Sequence, residues 1–275
     1  MTYNELERKA KEARKWLVET LVKCGAGHPG GALSSIDIMI ALYFEVMNID
    51  PNRPEWDERD RFILSKGHSS IGLYTTLYLK GMIEKDTLLT FRQNGSMLSG
   101  HPDMRKVRGV EMSTGSLGHG LSVGAGMALA GKMDKKKYRV FVIVGDGESQ
   151  EGSIWEAIMF AAHYKLDNLT VILDRNGIQI DGITENIMSL EPYADKWKAF
   201  GWEVREINGH AMAEIVPALK SVPFTEGKPS VVIAHTIKGK GVSFMENTNA
   251  WHGGAPKGDL AAQALREVEE ALAKD

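Results

Sequence analysis

Cysteine is nearly absent: one residue, Cys24, in 275. A lone thiol forms no internal disulfide. Cys24 lies beside a helical pattern with no ligand set around it, so it reads as a buried or half-buried inert group. Long apolar runs are missing too. None approaches the roughly 18 residues a membrane-spanning helix requires. The first residues, MTYNELERKAKEARKW, are charged and helical in pattern, unlike a signal peptide. Charge of one sign is not in excess either. Thirty-three Lys and Arg face 36 Asp and Glu, a net of −3, which gives no reason to expect nucleic acid or an anionic membrane. A cytoplasmic protein is the expectation. No internal repeat, low-complexity segment or linker interrupts the chain. No G-x-G-x-x-G follows the first strand with an acid about twenty residues on, which argues against a Rossmann-type dinucleotide binder.

What is present is glycine, 29 residues in clusters, and buried-strand patterns alternating with helices. Residues 4–23 place Leu6, Ala10, Ala13, Leu17 and Leu21 on one helical face. GAGHPGG (25–31) breaks that helix, and Ser34 or Ser35 is expected to cap a second one, SIDIMIALYFEVM. RFILS, YRVFVIV (138–144), LTVILD (169–174), the stretch within KAFGWEVREI and PSVVIAHTI read as strands. Continuous apolar strands are buried on both faces, as in parallel sheets. Helical patterns lie between them, including SIWEAIMFAAHYK, and the chain closes with an amphipathic helix, DLAAQALREVEEALAKD. The prediction is an α/β fold: one doubly wound parallel sheet flanked by helices on both faces.

The stretch GDGESQEG (145–152) follows VFVIV and carries Asp146, Glu148 and Glu151 where a buried strand ends. Ligands of doubly wound sheets bind at such ends. Gly145 and Gly147 would let backbone approach a phosphate, yet carboxylates repel one unless a metal stands between. The next strand ends in DRNGIQI, so Asp146 and Asn176 come from neighbouring strand ends. A loop carbonyl such as that of Ile178 could add a third hard oxygen. Such a set suits Mg²⁺, which completes its octahedron with phosphate oxygens and water. Glu148 and Glu151 fall on the first helical turn, where acids are favoured for structural reasons alone. Six of the eight histidines neighbour a glycine: His28, His68, His101, His119, His210 and His252. Imidazoles grouped at strand ends can donate to, accept from, or exchange protons with sugar hydroxyls and carbonyls. His163 and His235, within a helix and a strand, are assigned to packing. Lys238 and Lys240 in TIKGKG either neutralise an anion or form a solvated basic turn. The tryptophans at 16, 56, 155, 197 and 202 read as core or interface anchors, and Trp251 adjoins His252.

GAGHPGG, SKGHSS, SGHP, TGSLGHG, GDGESQEG, DRNGIQIDG and HGGAPKG occur in an order that resembles the transketolases, over about residues 10–260. The chain is similar to their diphosphate-binding (PP) domain, a thiamine-diphosphate-binding fold, and residues 1–275 then form one such domain. The resemblance implies thiamine diphosphate (ThDP) with Mg²⁺, or Ca²⁺ or Mn²⁺ in its place, on Asp146, Asn176 and Ile178. It implies cofactor contacts from His68, Gly115, Leu117, Gly145, Asp146, Gly147, Asn176 and His252. It lines the substrate funnel with His28, His68, His101 and His252 as catalytic histidines. His119 stands where larger transketolases usually carry glutamine. Glu151 matches a glutamate at the family's dimer interface.

The family's pyrimidine-binding (Pyr) domain and C-terminal domain have no counterpart here. The Pyr domain supplies the glutamate at N1′ of the cofactor and most phosphate-binding arginines. The expectation is therefore an N-terminal subunit of a split transketolase, inactive without a Pyr-bearing partner, in a heterotetramer. It would transfer a two-carbon ketol unit between sugar phosphates, such as xylulose 5-phosphate and ribose 5-phosphate, in the pentose phosphate pathway. Competing readings are half of another split ThDP enzyme (deoxyxylulose-phosphate-synthase-like, sugar-specific or decarboxylating) and a non-catalytic ThDP-binding protein.

Overall fold

The computed structural model describes residues 1–274. In chain order it contains α1 (Tyr3–Cys24), α2 (Pro29–Ala41), β1 (Arg61–Leu64), α3 (Ser70–Leu79), a one-turn α4 (Lys85–Leu88), α5 (His119–Met133), β2 (Val140–Gly145), α6 (Gly152–His163) and β3 (Leu169–Arg175). A small hairpin of β4 (Ile178–Gln179) and β5 (Gly182–Ile183) follows, then α7 (Thr184–Ile187), α8 (Tyr193–Ala199), β6 (Glu203–Asn208), α9 (Met212–Lys220), β7 (Ser230–His235) and α10 (Asp259–Ala273).

Five strands form one parallel sheet in the order β1-β2-β3-β7-β6. Alternation along β2 divides the core. Phe141 and Ile143 face α1, α2, α3, α9 and α10, while Val140, Val142 and Val144 face α5, α6 and α8. The sheet is thus wound on both faces, as predicted. The winding reverses between β3 and β7, which places a crevice at their carboxyl ends. The register keeps those ends level: Gly145 lies opposite Asp174, and Asp174 opposite Ala234.

Helix α1 follows its pattern closely. Thr2 and Glu5 form a capping box, Leu6, Ala10, Ala13, Leu17 and Leu21 are buried, and Gly25 ends the helix in the left-handed region at φ 70°. Helix α2 departs from expectation. It starts at Pro29, whose missing N–H costs nothing in a first turn, with His28 as N-cap. Ser34 and Ser35 are therefore buried mid-helix residues, not caps. The Ser35 hydroxyl donates to the Gly31 carbonyl at 2.8 Å, and the Ser34 hydroxyl donates its one proton to Asp174 at 2.6 Å, with the Gly31 carbonyl 3.1 Å away. Trp197 and Trp202 anchor the core, and the Cys24 thiol is half-buried near the Leu89 carbonyl.

Candidate active site

The carboxyl ends of β1, β2, β3 and β7 surround a cavity of about 310 Å³. Its floor is made of buried charge. Glu148 is 3% exposed. It lies on a short 3-10 turn ahead of α6 rather than in that helix, and Glu151 is the N-cap. The Glu148 carboxylate accepts hydrogen bonds from the Ser65 hydroxyl and from the backbone N–H groups of Gly118 and Gly145, each of the latter at 3.0 Å. Burial raises its pKa, and these donors oppose that. Beside it, Lys66 donates to the fully buried Asp174 at 2.6 Å and to the Gly31 carbonyl at 2.6 Å. Asp174 also accepts from Ser34, Thr236 and Asn176. Burial would raise the Asp174 carboxyl, but Lys66 and the hydroxyls outweigh it and hold the pKa low.

Asp146, Asn176 and Ile178 all line the cavity, with Gly145, Gly147, Leu117, His68 and His252. Asp146 is 3% exposed. It accepts from the Gly177 N–H at 2.5 Å and from Arg175 at 3.2 Å. Burial pushes its pKa up to about 6, and Arg175 opposes the rise. The Asn176 side-chain oxygen accepts from the Ile178 N–H at 3.1 Å. The Ile178 carbonyl accepts from Lys238 at 3.0 Å. A carboxylate, an amide oxygen and a carbonyl oxygen on one cavity wall form a hard-oxygen set. That donor chemistry fits Mg²⁺, Ca²⁺ or Mn²⁺ and not a thiophilic metal. Lys238 is 3% exposed, and burial pulls its ammonium down to about 8. Its stem passes Gly30, where a Cβ would lie 3.1 Å from two Lys238 carbons. A side chain at position 30 would push the amine off its place.

Four histidines from four segments meet above this floor. Ring centroids are 5.3 Å apart for His28 and His68, 5.0 Å for His68 and His252, 5.8 Å for His28 and His252, and 6.5 Å for His28 and His101. Burial is the first cause that lowers all four pKa values. Arg92 adds to it at His28 and His101, Lys66 at His68, and Lys238 at His252, which falls to about 4. All four rings are neutral at pH 7. The His28 Nδ1 is buried and has no hydrogen-bond partner among the described residues. A buried nitrogen left without a partner beside His68 and His252, which line the cavity, has hydrogen-bonding capacity to spare.

Other expected site residues sit elsewhere. Gly115 packs under His101, where a Cβ would come within 3.0 Å of the ring. With exposed His119 it borders a separate hollow of about 170 Å³. Lys240 points away from the cavity to Glu246. His163 and His235, expected to serve packing, are instead exposed: one lies against Tyr164, the other pairs with Glu206. Trp251 shapes the site through its backbone, its carbonyl accepting from the Gly30 N–H. The sequence reading missed Lys66, Asp174, Arg92 and Arg175. Lys66 and Asp174 adjoin motifs, in SKGH and DRN, and their apposition to strand ends was the available signal.

Fold and site define a class: a parallel α/β domain whose strand ends carry a hard-oxygen set, buried ammonium groups and a histidine funnel. Comparison with known proteins makes the assignment. Residues 6–271 match the family model described as transketolase, thiamine diphosphate binding domain. The chain belongs to this family. It is 50% identical over 274 residues to an apulose-4-phosphate transketolase subunit of Phocaeicola vulgatus, covering 100% of this chain and 97% of that protein. It is 47% identical to the 6-deoxy-6-sulfo-D-fructose transketolase subunit SqwG of Clostridium sp. strain MSTE9, covering 97% of each. The transketolase of Campylobacter jejuni superposes with a TM-score of 0.91 at 32% identity. That match covers 99% of this chain and 43% of the other. The chain thus spans less than half of the single-chain transketolase it matches, and nearly all of relatives named as subunits. No helix among the described residues is long and apolar enough to cross a membrane.

Proposed function

We propose that the chain is the PP subunit of a two-chain transketolase, a ketol transferase completed by a separate Pyr-bearing subunit. The observation that carries this reading is the convergence of four neutral histidines above an oxygen-lined cavity at the strand ends. Asp146, Asn176 and Ile178 would hold Mg²⁺, whose charge would offset that of a diphosphate. Lys238 and His68 would face that diphosphate, with Leu117, Gly145 and Gly147 along the cofactor. When bound, ThDP supplies a carbon nucleophile and an electron sink for breaking the bond beside a ketose carbonyl. The chain's own part is binding and proton handling. His28, His101 and His252 present neutral imidazoles that orient sugar hydroxyls and hold or pass their protons. The buried floor keeps charged groups fixed, so little reorganisation accompanies the reaction.

An exposed apolar patch beside the cavity supports the partner. Ile180, Ile183, Ile187 and Met188 are 60, 54, 46 and 61% exposed, and Ile180 also lines the cavity. Contiguous apolar surface of this kind marks protein contacts. Two copies of each subunit form the expected assembly. The relatives' names point to ketoses with a phosphate or sulfonate terminus as donors, beside xylulose 5-phosphate. The test is a ketol-transfer assay with ThDP, Mg²⁺, several anionic ketoses and ribose 5-phosphate. It compares the chain alone with the complex captured on the tagged chain from its native cells. Activity in the complex alone is expected. Full activity of the isolated chain would refute the split-site reading.

A further inference from the structure

His210, a glycine-flanked histidine outside the family motifs, lies away from the cavity. It sits in the turn between β6 and α9, its side chain 13% exposed. The N–H of Ile237 donates to its Nε2 at 2.8 Å. A backbone N–H can only donate, so this nitrogen is bare. The other nitrogen, Nδ1, then carries the proton and donates it to Asp37 at 2.7 Å. Asp37, on α2, is 4% exposed. Arg14 of α1 grips it with both terminal nitrogens. Burial would raise the Asp37 carboxyl, but Arg14 and His210 outweigh it and hold it ionised. The Nε of Arg14 donates in turn to the Lys240 carbonyl at 3.1 Å.

Two of these bonds grip the loop after β7 on either side of Lys238 and Gly239. Ile237 is held by its N–H and Lys240 by its carbonyl, and Lys238 lies between them. We infer that His210 is a positioning residue for Lys238: with Asp37 and Arg14 it clasps residues 237–240 and so aims the Lys238 amine into the cavity. The inference rests on the proposed role of Lys238 toward the cofactor diphosphate. It requires the neutral Nδ1–H tautomer, which no aliphatic side chain replaces. Gln at 210 would retain an acceptor for the Ile237 N–H.

The test is a double-mutant cycle read by calorimetric titration of the full chain with ThDP in excess Mg²⁺. Lys238→Met measures what the amine contributes. His210→Leu should weaken ThDP binding about tenfold, the size of one well-made hydrogen bond. His210→Gln should recover most of that loss. In the His210→Leu/Lys238→Met chain, affinity should match Lys238→Met alone within about twofold, because the clasp acts through Lys238. Multiplicative losses would make His210 a general support and overturn the inference. If the leucine variant does not fold by circular dichroism, the same cycle is run with His210→Gln, whose smaller loss should vanish on the Lys238→Met background. Unchanged affinity in Lys238→Met, or no ThDP binding by the unmodified chain, would overturn the diphosphate reading of the cavity and this inference with it. An additive cycle with a weak Lys238→Met would overturn the positioning role alone.

Discussion

Replacing Lys66 by Met tests the buried floor. The side chains of Lys66 and Asp174 are 3% and 0% exposed, and they meet at 2.6 Å. Removing one partner of such a pair leaves an uncompensated buried charge and costs about 3–5 kcal/mol. Asp174 would keep Ser34, Thr236 and Asn176 as neutral donors, so the lower end, about 3 kcal/mol, is expected. At about 2–4 °C per kcal/mol for a chain of this size class, the melting temperature should fall by about 6–12 °C. The assay is urea unfolding followed by circular dichroism, with the slope checked for constancy. In Lys66→Met/Asp174→Asn the stranded charge is gone, and at least half of the lost stability should return. A single variant within about 1 kcal/mol of the parent would refute the argument. So would a double variant that sums the two single losses.

Asp146→Ala should abolish metal-dependent ThDP binding and leave the far-ultraviolet spectrum intact, and chelation of the parent should give the same loss; surviving affinity would remove Asp146 from the metal set. The four lowered histidines set a pH dependence. Folded, they stay neutral below the usual 6.5, whereas the unfolded chain takes up their protons there. Stability should therefore be full above pH 6.5 and fall toward pH 4, by up to about 1.4 kcal/mol per pH unit for each proton, and less for the partly open rings; equal urea midpoints at pH 5 and 7 would contradict this. Ile187→Asp should abolish partner capture on the tagged chain without lowering its melting temperature by more than a few degrees. Arg92→Gln should raise KM several-fold for a ketose with a charged terminus and spare its uncharged counterpart in the active complex. Its guanidinium lies against Gly100 and acts on His101.

The strands were legible because β2 and β3 are continuous apolar runs, which only a sheet covered on both faces explains. Asp146, Asn176 and Ile178 were legible for the same reason: once those runs are strands, their ends are neighbours. The histidine group came from motif order, since nothing local tells that His28 and His252 share a funnel. What stayed hidden depends on register and helix phase. Lys66 and Asp174 are 108 residues apart, and they meet only because the Lys66 side chain crosses Gly145 at the end of β2 to reach β3. Lys238 and Lys240 are equal in the sequence, and the turn at Gly239 separates them, one inward and one toward Glu246. The start of α2 was misplaced because serine is a good cap in isolation, while Pro29 had the prior claim to the first turn.

Glu148 joins Ser65 after β1, Gly118 before α5 and Gly145 at the end of β2. These are three successive corners of one wall, tied at a single carboxylate. No corner can swing out by itself without stranding a buried charge. The wall of the cavity therefore has no private hinge. Its opening is coupled to unravelling of the sheet edge itself, and the adaptable parts of the site are left to the hairpin and α7 at the rim.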